Sequence, residues 1–416
     1  MSDPPSPSPT LPAPAPADLA GVSYLYGHPL LKSLSPLLHK TIYNALGLNW
    51  AQIPLSVSDT SNPDVFPPPY TLSPPIAEFL AAAKANPRFV GASVTMPWKV
   101  AILPHLDELA EEARGVGACN TIFIREEEEE EEAGENKAVV NGDRDNGTSI
   151  KTNKRRRIFI GTNTDCIGIR EALLQNAPPP PPQQSQTPTT TTTTSPTPTP
   201  YHNKPALIIG GGGTARAAIY ALRNWLGASK IYIVNRDRAE VEALMAEDAT
   251  RYNSSPSSTD DDDDDDESHA KLFHITHPSQ VPALEAPYCI VSGIPNYPPR
   301  TDEEVSARGV VEAFLNGSTS TDRDRDTDRV TQGENPSPRG VILEMCYHPR
   351  PWTEIAELAA GKGWKVVLGT EAMIWQGIEQ ARLWTGRDVV GVPGVVEAVK
   401  GAVERALEER GGEGGK

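Results

Sequence analysis

The sequence predicts an α/β protein of two domains, and three observations support this fold class. The chain has 416 residues, of which 38% are hydrophobic, enough to form more than one core. Short apolar runs alternate with helical patterns, as in parallel sheets with helical crossovers. Four consecutive glycines, Gly210 to Gly213, separate an apolar run from a helical segment, which is the setting of a dinucleotide-binding turn. We therefore expect an N-terminal α/β domain and a Rossmann-type domain with a doubly wound parallel sheet.

The expected domain boundaries follow from composition. Proline-rich residues 1–20 predict a disordered tail without a secretory leader. The first domain is expected at 21–165, completed by C-terminal helices within 370–410, and the Rossmann-type domain at 166–369. Low-complexity insertions are expected at about 126–157, 177–203, 248–270 and 316–338.

The net charge of −17 is concentrated locally. Seven acids lie at 126–132 and eight at 260–267, so the rest of the chain is nearly neutral. Such a run could bind metal but is typical of a self-repelling loop, and no metal site is predicted. Neither nucleic acid nor membrane is expected as a partner. The four cysteines lack C-x-x-C spacing, which predicts reduced thiols in a cytoplasmic protein.

In the first domain, polar residues follow two predicted strands. The first strand, at 22–27, leads to Ser33 and Ser35, ahead of Pro36 and a helix over 37–46. Pro36 suits a first helical turn, and Ser35 is a good N-cap. Two serines at a helix start could also bind an anion, although the local pattern by itself favours capping.

Lys99 follows the second of these strands, at 89–95, and opens a helical stretch. The helix macrodipole disfavours a lysine there, which hints at a chemical role, although a solvated lysine is the commoner case. A further strand, at 158–161, ends shortly before Asp165 and a helix at 166–176. The other elements expected in this domain are a strand at 51–55, a helix at 76–85 and a turn with a strand at 117–124.

The glycine turn is the candidate cofactor site. Gly210 permits a tight turn, Gly212 allows a pyrophosphate to approach the backbone, and the free amides at Gly213 and Thr214 face the anion. Four glycines could instead form a flexible joint, but the next strand, at 230–234, favours the cofactor site.

That strand ends before Asn235, Arg236, Asp237 and Arg238, where the adenosine ribose of a dinucleotide would lie. Arg236 and Arg238 could pair with a 2′-phosphate, whereas Asp237 could accept from a ribose 2′-hydroxyl. Both NAD and NADP therefore remain open. The later elements expected are helices at 239–247, 352–360, 372–384 and 395–409, and strands at 288–292, 340–345 and 364–369.

The motifs of the chain, in order, resemble the shikimate/quinate dehydrogenase family. They lie at 27–39, 94–99, 117–121, 163–168, 210–216, 235–236, 345–349, 373–377 and 383–386. The match spans roughly 21–390. It implies an NAD(P)-dependent enzyme that transfers hydride between a ring hydroxyl of quinate or shikimate and nicotinamide, giving 3-dehydroquinate or 3-dehydroshikimate. The first domain would bind this cyclic hydroxy acid and the Rossmann-type domain the cofactor.

The resemblance makes Lys99 and Asp165 the catalytic pair. A lysine can take the hydroxyl proton if its ammonium is partly desolvated and steadied by a carboxylate, although a simple ion pair is the alternative. The other family roles fall on Ser33, Ser35 and Tyr347 at or near the carboxylate, on Thr95, Asn120 and Gln376 at the ring hydroxyls, and on Gly369 beside the nicotinamide.

Four departures from the family pattern leave the substrate open and indicate a divergent, catabolic branch. They are Lys32, Ser93, His348 and the segment 291–295. One rival interpretation is a biosynthetic shikimate dehydrogenase that strictly uses NADPH, and another is a non-catalytic metabolite sensor with the same fold. The sequence does not predict an oligomeric state.

Overall fold

Two six-stranded sheets organise the protein. The computed structural model describes residues 15–28, 30, 33–55, 57–58, 71–129, 154–178, 198–253, 270–317, 338–346 and 351–413. No helix in these ranges is long and apolar enough to cross a membrane.

The first sheet is mixed, with the strand order β2-β1-β5-β7-β8-β6. Its strands are β1 (Gly21–Tyr26), β2 (Trp50–Leu55), β5 (Phe89–Val94), β6 (Glu108–Leu109), β7 (Thr121–Glu129) and β8 (Lys154–Thr162). Strand β7 is antiparallel to both neighbours, and the other pairs are parallel. Strands β3 (Val57–Ser58) and β4 (Thr71–Leu72) form a separate antiparallel pair. The helices of this part are α1 (Ser35–Ala45), α2 (Ile76–Ala85), α3 (Trp98–Ala101) and α4 (Glu111–Val116).

Two segments expected to lack structure are partly ordered. Strands β7 and β8 pair residues 126–129 with 154–157, so that each glutamate lies opposite an arginine or lysine. Opposite charges across a strand pair stabilise it, which extends both strands into the expected insertion. In the expected tail, Arg88 donates to the carbonyls of Pro16, Ala17 and Leu19. The remainder of the tail, and most of each predicted insertion, lies outside the described residues.

The second sheet is parallel throughout, which confirms the predicted doubly wound architecture. Its strands are β9 (Pro205–Ile209), β10 (Lys230–Val234), β11 (Lys271–His274), β12 (Cys289–Ser292), β13 (Val341–Glu344) and β14 (Lys365–Leu368). Counted from β9, the order is 3-2-1-4-5-6. Its helices are α5 (Asp165–Gln175), α6 (Gly213–Asn224), α7 (Arg238–Asn253), α8 (Asp302–Asn316) and α9 (Glu354–Gly361). Residues of β9 alternate between two apolar clusters on opposite faces, as a sheet covered on both sides requires.

The last two helices, α10 (Gly369–Thr385) and α11 (Val395–Glu413), return to the first sheet and pack against α1. Trp384 anchors α10 there, because its indole Nε1 donates to the carbonyl of Ile122 at 2.9 Å. The indole also lies over Gly91, where a Cβ would come within 2.1 Å of Nε1. This contact therefore requires glycine on β5. The exact domain boundaries stay a prediction.

Candidate active site

Lys99 and Asp165 form the centre of the candidate site. The Lys99 ammonium nitrogen, Nζ, lies 2.5 Å from Oδ2 of Asp165, and the two side chains are 25% and 12% exposed. A charge-assisted hydrogen bond of this length orients both groups while leaving them accessible to a ligand. The structure thus brings together the two residues that the resemblance paired, and their catalytic role stays a prediction.

Two turns hold this pair. Lys99 lies on α3, reached from β5 through a cis Met96–Pro97 peptide, and its carbonyl accepts from the backbone N–H of Cys119 at 2.7 Å. Asp165 begins α5, and Asn163 Oδ1 accepts its N–H at 3.0 Å. The helix dipole favours a carboxylate at this position. Helix α3 has only four residues, so the dipole penalty expected for Lys99 is small.

Asn120 and Gln376, which the resemblance places on ring hydroxyls, are bonded to each other. Asn120 Nδ2 donates to Gln376 Oε1 at 3.1 Å. Asn120 Oδ1 accepts from the backbone N–H of Thr164 at 2.7 Å, and Thr164 directly precedes Asp165. Asn120 also follows Cys119, whose backbone N–H donates to the carbonyl of Lys99. The backbone therefore anchors Asn120 beside both members of the pair.

Ser33, and not Ser35 as predicted, accepts a backbone N–H at the start of α1. Helix α1 begins at Ser35, so Ser35 is not its N-cap. Instead, Ser33 Oγ accepts the backbone N–H of Ser35 at 3.2 Å. Ser35 Oγ donates to Gln52 Oε1 at 2.7 Å, and an anion bound by this hydroxyl would have to compete with Gln52 for the proton.

Sequence analysis missed Gln52 and Gln380, which connect the buried side of the site. Gln52 Nε2 donates to Ser93 Oγ at 2.9 Å, and Ser93 Oγ donates to Gln380 Oε1 at 2.8 Å. His39 Nε2 donates to the same oxygen at 3.0 Å. Burial lowers the pKa of His39 to about 4, so its ring is neutral near pH 7. A signal for Gln380 was present, because it lies one helical turn after Gln376 on the same face of α10.

Thr95 directly follows β5, and its backbone N–H donates to β1 at 2.8 Å. Gly27, with a φ of +142°, makes room for it, since a Cβ there would come within 2.4 Å of Thr95 Cγ2. The predicted site residue Tyr347 and the departures Lys32 and His348 lie outside the described residues.

The glycine turn lies between β9 and α6 and is open on one side. Gly210 has a φ of +125°, which favours glycine. Among the described atoms, a Cβ at Gly213 would meet none within 4 Å, and one at Gly212 would meet only a carboxylate oxygen at 3.9 Å. No described side chain caps the start of α6, so the amides near Gly213 and Thr214 suit an anion. The turn therefore fits a dinucleotide pyrophosphate.

The residues expected at the adenosine end lie together after β10, beside an open cavity of about 430 Å³. The cavity is lined by Arg236, Asp237, Arg238, Ala239, Thr301, Glu303 and Glu304. The Arg236 and Arg238 side chains are 67% and 78% exposed, and both are paired, Arg236 with Glu304 and Arg238 with Glu242. Asn235 Nδ2 donates to a carboxylate of α7 at 2.6 Å.

Gly369 begins α10 directly after β14. A Cβ there would lie 2.5 Å from the carbonyl oxygen of Met345, so only glycine permits this approach. The contact holds the start of α10 against the carboxyl edge of the parallel sheet, the edge at which α/β proteins bind ligands. The position agrees with a role at the cofactor, which stays a prediction.

Helices α5 and α10 bridge the two sheets. Helix α5 packs against α6, and α10 packs against α5, β5, β7 and β14. Their contact is close, since a Cβ at Gly168 would lie 2.3 Å from the carbonyl oxygen of Ala372. The helices that carry Asp165 and Gln376 therefore connect the glycine-turn side of the molecule to the first sheet.

A parallel sheet of order 3-2-1-4-5-6 with an open glycine turn, bridged to a Lys–Asp pair, defines a dinucleotide-dependent oxidoreductase. Comparison with known proteins specifies the family. Residues 25–122 match the family model of the shikimate dehydrogenase substrate-binding domain. The chain is 51% identical to the quinate dehydrogenase of Emericella nidulans over 94% of this chain and 96% of that protein. It belongs to the shikimate/quinate dehydrogenase family.

Solved structures share the fold at lower identity. The quinate dehydrogenase of Corynebacterium glutamicum in complex with NAD has a TM-score of 0.56 and 19% identity, over 92% of this chain and 99% of that one. The shikimate dehydrogenase of Thermus thermophilus in complex with NADP(H) and shikimate has a TM-score of 0.53 and 22% identity, over 92% and 99%. At these identities the likeness supports the fold alone.

Proposed function

We propose that this protein is an NAD(P)-dependent dehydrogenase that oxidises a ring hydroxyl of quinate, with shikimate as the second ring acid. The hydrogen bond of 2.5 Å between Lys99 and Asp165, next to the bonded Asn120 and Gln376, is the observation that carries the proposal. The 51% identity to a quinate dehydrogenase over nearly the whole chain supports quinate as the substrate.

The residues divide the chemistry between them. NAD or NADP, which the open glycine turn at Gly210 to Thr214 would hold, would supply the acceptor for the hydride that leaves the alcohol carbon. Lys99, as the neutral amine, takes the proton of the same hydroxyl and becomes the ammonium, so that the alcohol becomes a ketone. Asp165 orients Lys99 and stabilises its ammonium form, and the partly exposed lysine side chain lets the proton pass to solvent. Asn120 and Gln376 hold neighbouring hydroxyls, which selects against ring acids that lack them.

We infer a preference for NAD over NADP. Arg236 and Arg238 are the guanidinium groups placed to meet a 2′-phosphate, and both are already paired with carboxylates. Asp237, Glu303 and Glu304 also line the cavity. A 2′-phosphate would therefore have to displace carboxylates and approach several negative charges, whereas a ribose 2′-hydroxyl would not.

The test follows nicotinamide absorbance at alkaline pH for quinate and shikimate, each with NAD and with NADP. We expect the highest kcat/KM for quinate with NAD. Preference for shikimate with NADP would support the biosynthetic interpretation instead. Absence of turnover in all four pairings, with binding of quinate or shikimate still measurable by calorimetry, would support the sensor. The cytoplasmic location stays a prediction.

A further inference from the structure

A continuous hydrogen-bond chain runs through the buried side of the candidate substrate site. It joins seven side chains, in order of donation Ser35, Gln52, Ser93, Gln380, Thr121, Asn120 and Gln376. The six donor–acceptor distances are 2.7, 2.9, 2.8, 3.0, 2.8 and 3.1 Å. Every group donates toward the next, so the chain has one direction from Ser35 to Gln376. Hydrogen bonds aligned in this way polarise and strengthen one another.

Gln380 is the midpoint of this Ser35–Gln376 chain, and its amide is fully bonded. Its oxygen accepts from Ser93 and His39, and its nitrogen donates to Thr121 and Thr164. The residue is 4% exposed, so water cannot readily replace a lost partner. One side chain thus links β5 and α1 on one side with β7 and the start of α5 on the other.

The ends of the chain are the two halves of the proposed substrate site. Ser35 is at the end expected to meet the carboxylate, and Asn120 with Gln376 is at the end expected to meet ring hydroxyls. If Ser35 turns its proton to a bound carboxylate, Gln52 loses its donor, and the next groups must reorient. Because Gln380 has no spare donor or acceptor, it transmits this change between the ends.

We propose that Gln380 is a positioning residue that couples carboxylate recognition at Ser35 to hydroxyl recognition at Asn120 and Gln376. This proposal rests on the proposed function, because it takes the ring acid as the ligand that spans both ends. Gln380 itself lies beneath the site and acts through its neighbours.

The test compares Gln380→Met, which keeps the length of the side chain but removes the amide, with Ile378→Val as control. Ile378 is buried on the same helix and belongs to an apolar cluster that includes none of the seven hydrogen-bonded side chains. We expect Gln380→Met to raise KM for quinate about 10- to 100-fold, as loss of bonds to buried polar groups predicts. The dissociation constant of NAD, from fluorescence titration, should change by less than about twofold, because none of the seven hydrogen-bonded side chains belongs to the glycine turn. Ile378→Val should lower the thermal midpoint without this change in KM.

A double-mutant cycle tests the coupling even if Gln380→Met does not fold. Ser93→Ala and Thr121→Val remove the partners on either side of Gln380. We expect their effects on kcat/KM for quinate to be non-additive by a factor of about 3 or more, since they interrupt one connected chain. Strict additivity, or an unchanged KM in a folded Gln380→Met protein, would overturn the coupling while leaving the proposed function intact. A wild-type protein that neither turns over nor binds quinate or shikimate would overturn both.

Discussion

The substrate side and the adenosine side of this protein are constructed in opposite ways. On the substrate side, buried neutral groups such as Gln52, Ser93 and Gln380 bond to one another, and their geometry is fixed before a ligand arrives. On the adenosine side, Arg236 and Arg238 are exposed charges held by carboxylates. Exposed ion pairs are weak and exchange partners readily, whereas a buried network tolerates few changes. The fold therefore fixes the side chains of the proposed ring-acid site closely and leaves those at the proposed 2′ position adjustable.

The largest effect should come from removing the Lys99 amine at the centre of the proposed substrate site. Lys99→Ala should lower kcat for quinate about 10²- to 10⁴-fold, because general base catalysis is lost, while calorimetry should still detect binding of quinate and NAD. Lys84→Ala is the matched control, since Lys84 is also paired with an aspartate, Asp107 at 3.3 Å, but outside the site. Unchanged turnover in Lys99→Ala, or an equal loss in Lys84→Ala, would contradict the assignment.

The parallel sheet, which carries the glycine turn, also contains a buried acid, Glu344. Glu344 ends β13, is 1% exposed and accepts from Cys346 N and Thr353 Oγ1, each at 3.0 Å. Burial raises the pKa of Glu344 from 4.5 to about 7. Between these values the folded protein keeps a proton that the unfolded chain has released, so stability falls as pH rises through this window.

Glu344→Gln should remove that dependence. Relative to wild type, the variant should gain free energy of unfolding as pH rises from 4.5 to 7, by at most about 3 kcal/mol. His39, with its lowered pKa of about 4, contributes the opposite slope as pH falls below its ordinary value of 6.5. Its contribution cancels when the variant is compared with wild type in denaturant titrations at pH 5 and pH 8. An equal pH dependence in both proteins would show that Glu344 is ionised in the fold.

The comparison also explains what the sequence could predict. Local sequence patterns were enough to predict the parallel sheet and the glycine turn. Motifs in a fixed order were enough to predict that Lys99 pairs with Asp165. The hydrogen bonds of Gln380 join it to distant parts of the sequence. Ser93 lies 287 positions before Gln380 and His39 lies 341 positions before it, and no local pattern encodes such contacts. The capping prediction for Ser35 was wrong because α1 already begins at Ser35, and the hydroxyl that accepts the Ser35 backbone N–H is that of Ser33, two residues earlier.

Cofactor choice stayed open in the sequence for a related reason. Arg236 and Arg238 are close to Asp237 along the chain, and that segment shows more basic than acidic groups. Glu304, which holds Arg236, comes from α8, an element that the sequence analysis did not predict. The local charge balance at the 2′ position therefore depends on a residue 68 positions away.

The smallest expected effect is at the cavity lined by Arg236 and Glu304. Glu304→Gln should free Arg236 and remove one negative charge from the cavity, which should tighten NADP binding about three- to fivefold, the scale of an exposed ion pair. Binding of NAD should change by less than about twofold, because it has no 2′-phosphate to meet Arg236. Glu285→Gln is the matched control. Glu285 is paired with Lys230 at 3.2 Å at the opposite end of β10, so its loss should leave both affinities unchanged. If Glu304→Gln does not alter the ratio of the two affinities, Arg236 does not reach the 2′ position, and the preference for NAD must depend on Asp237.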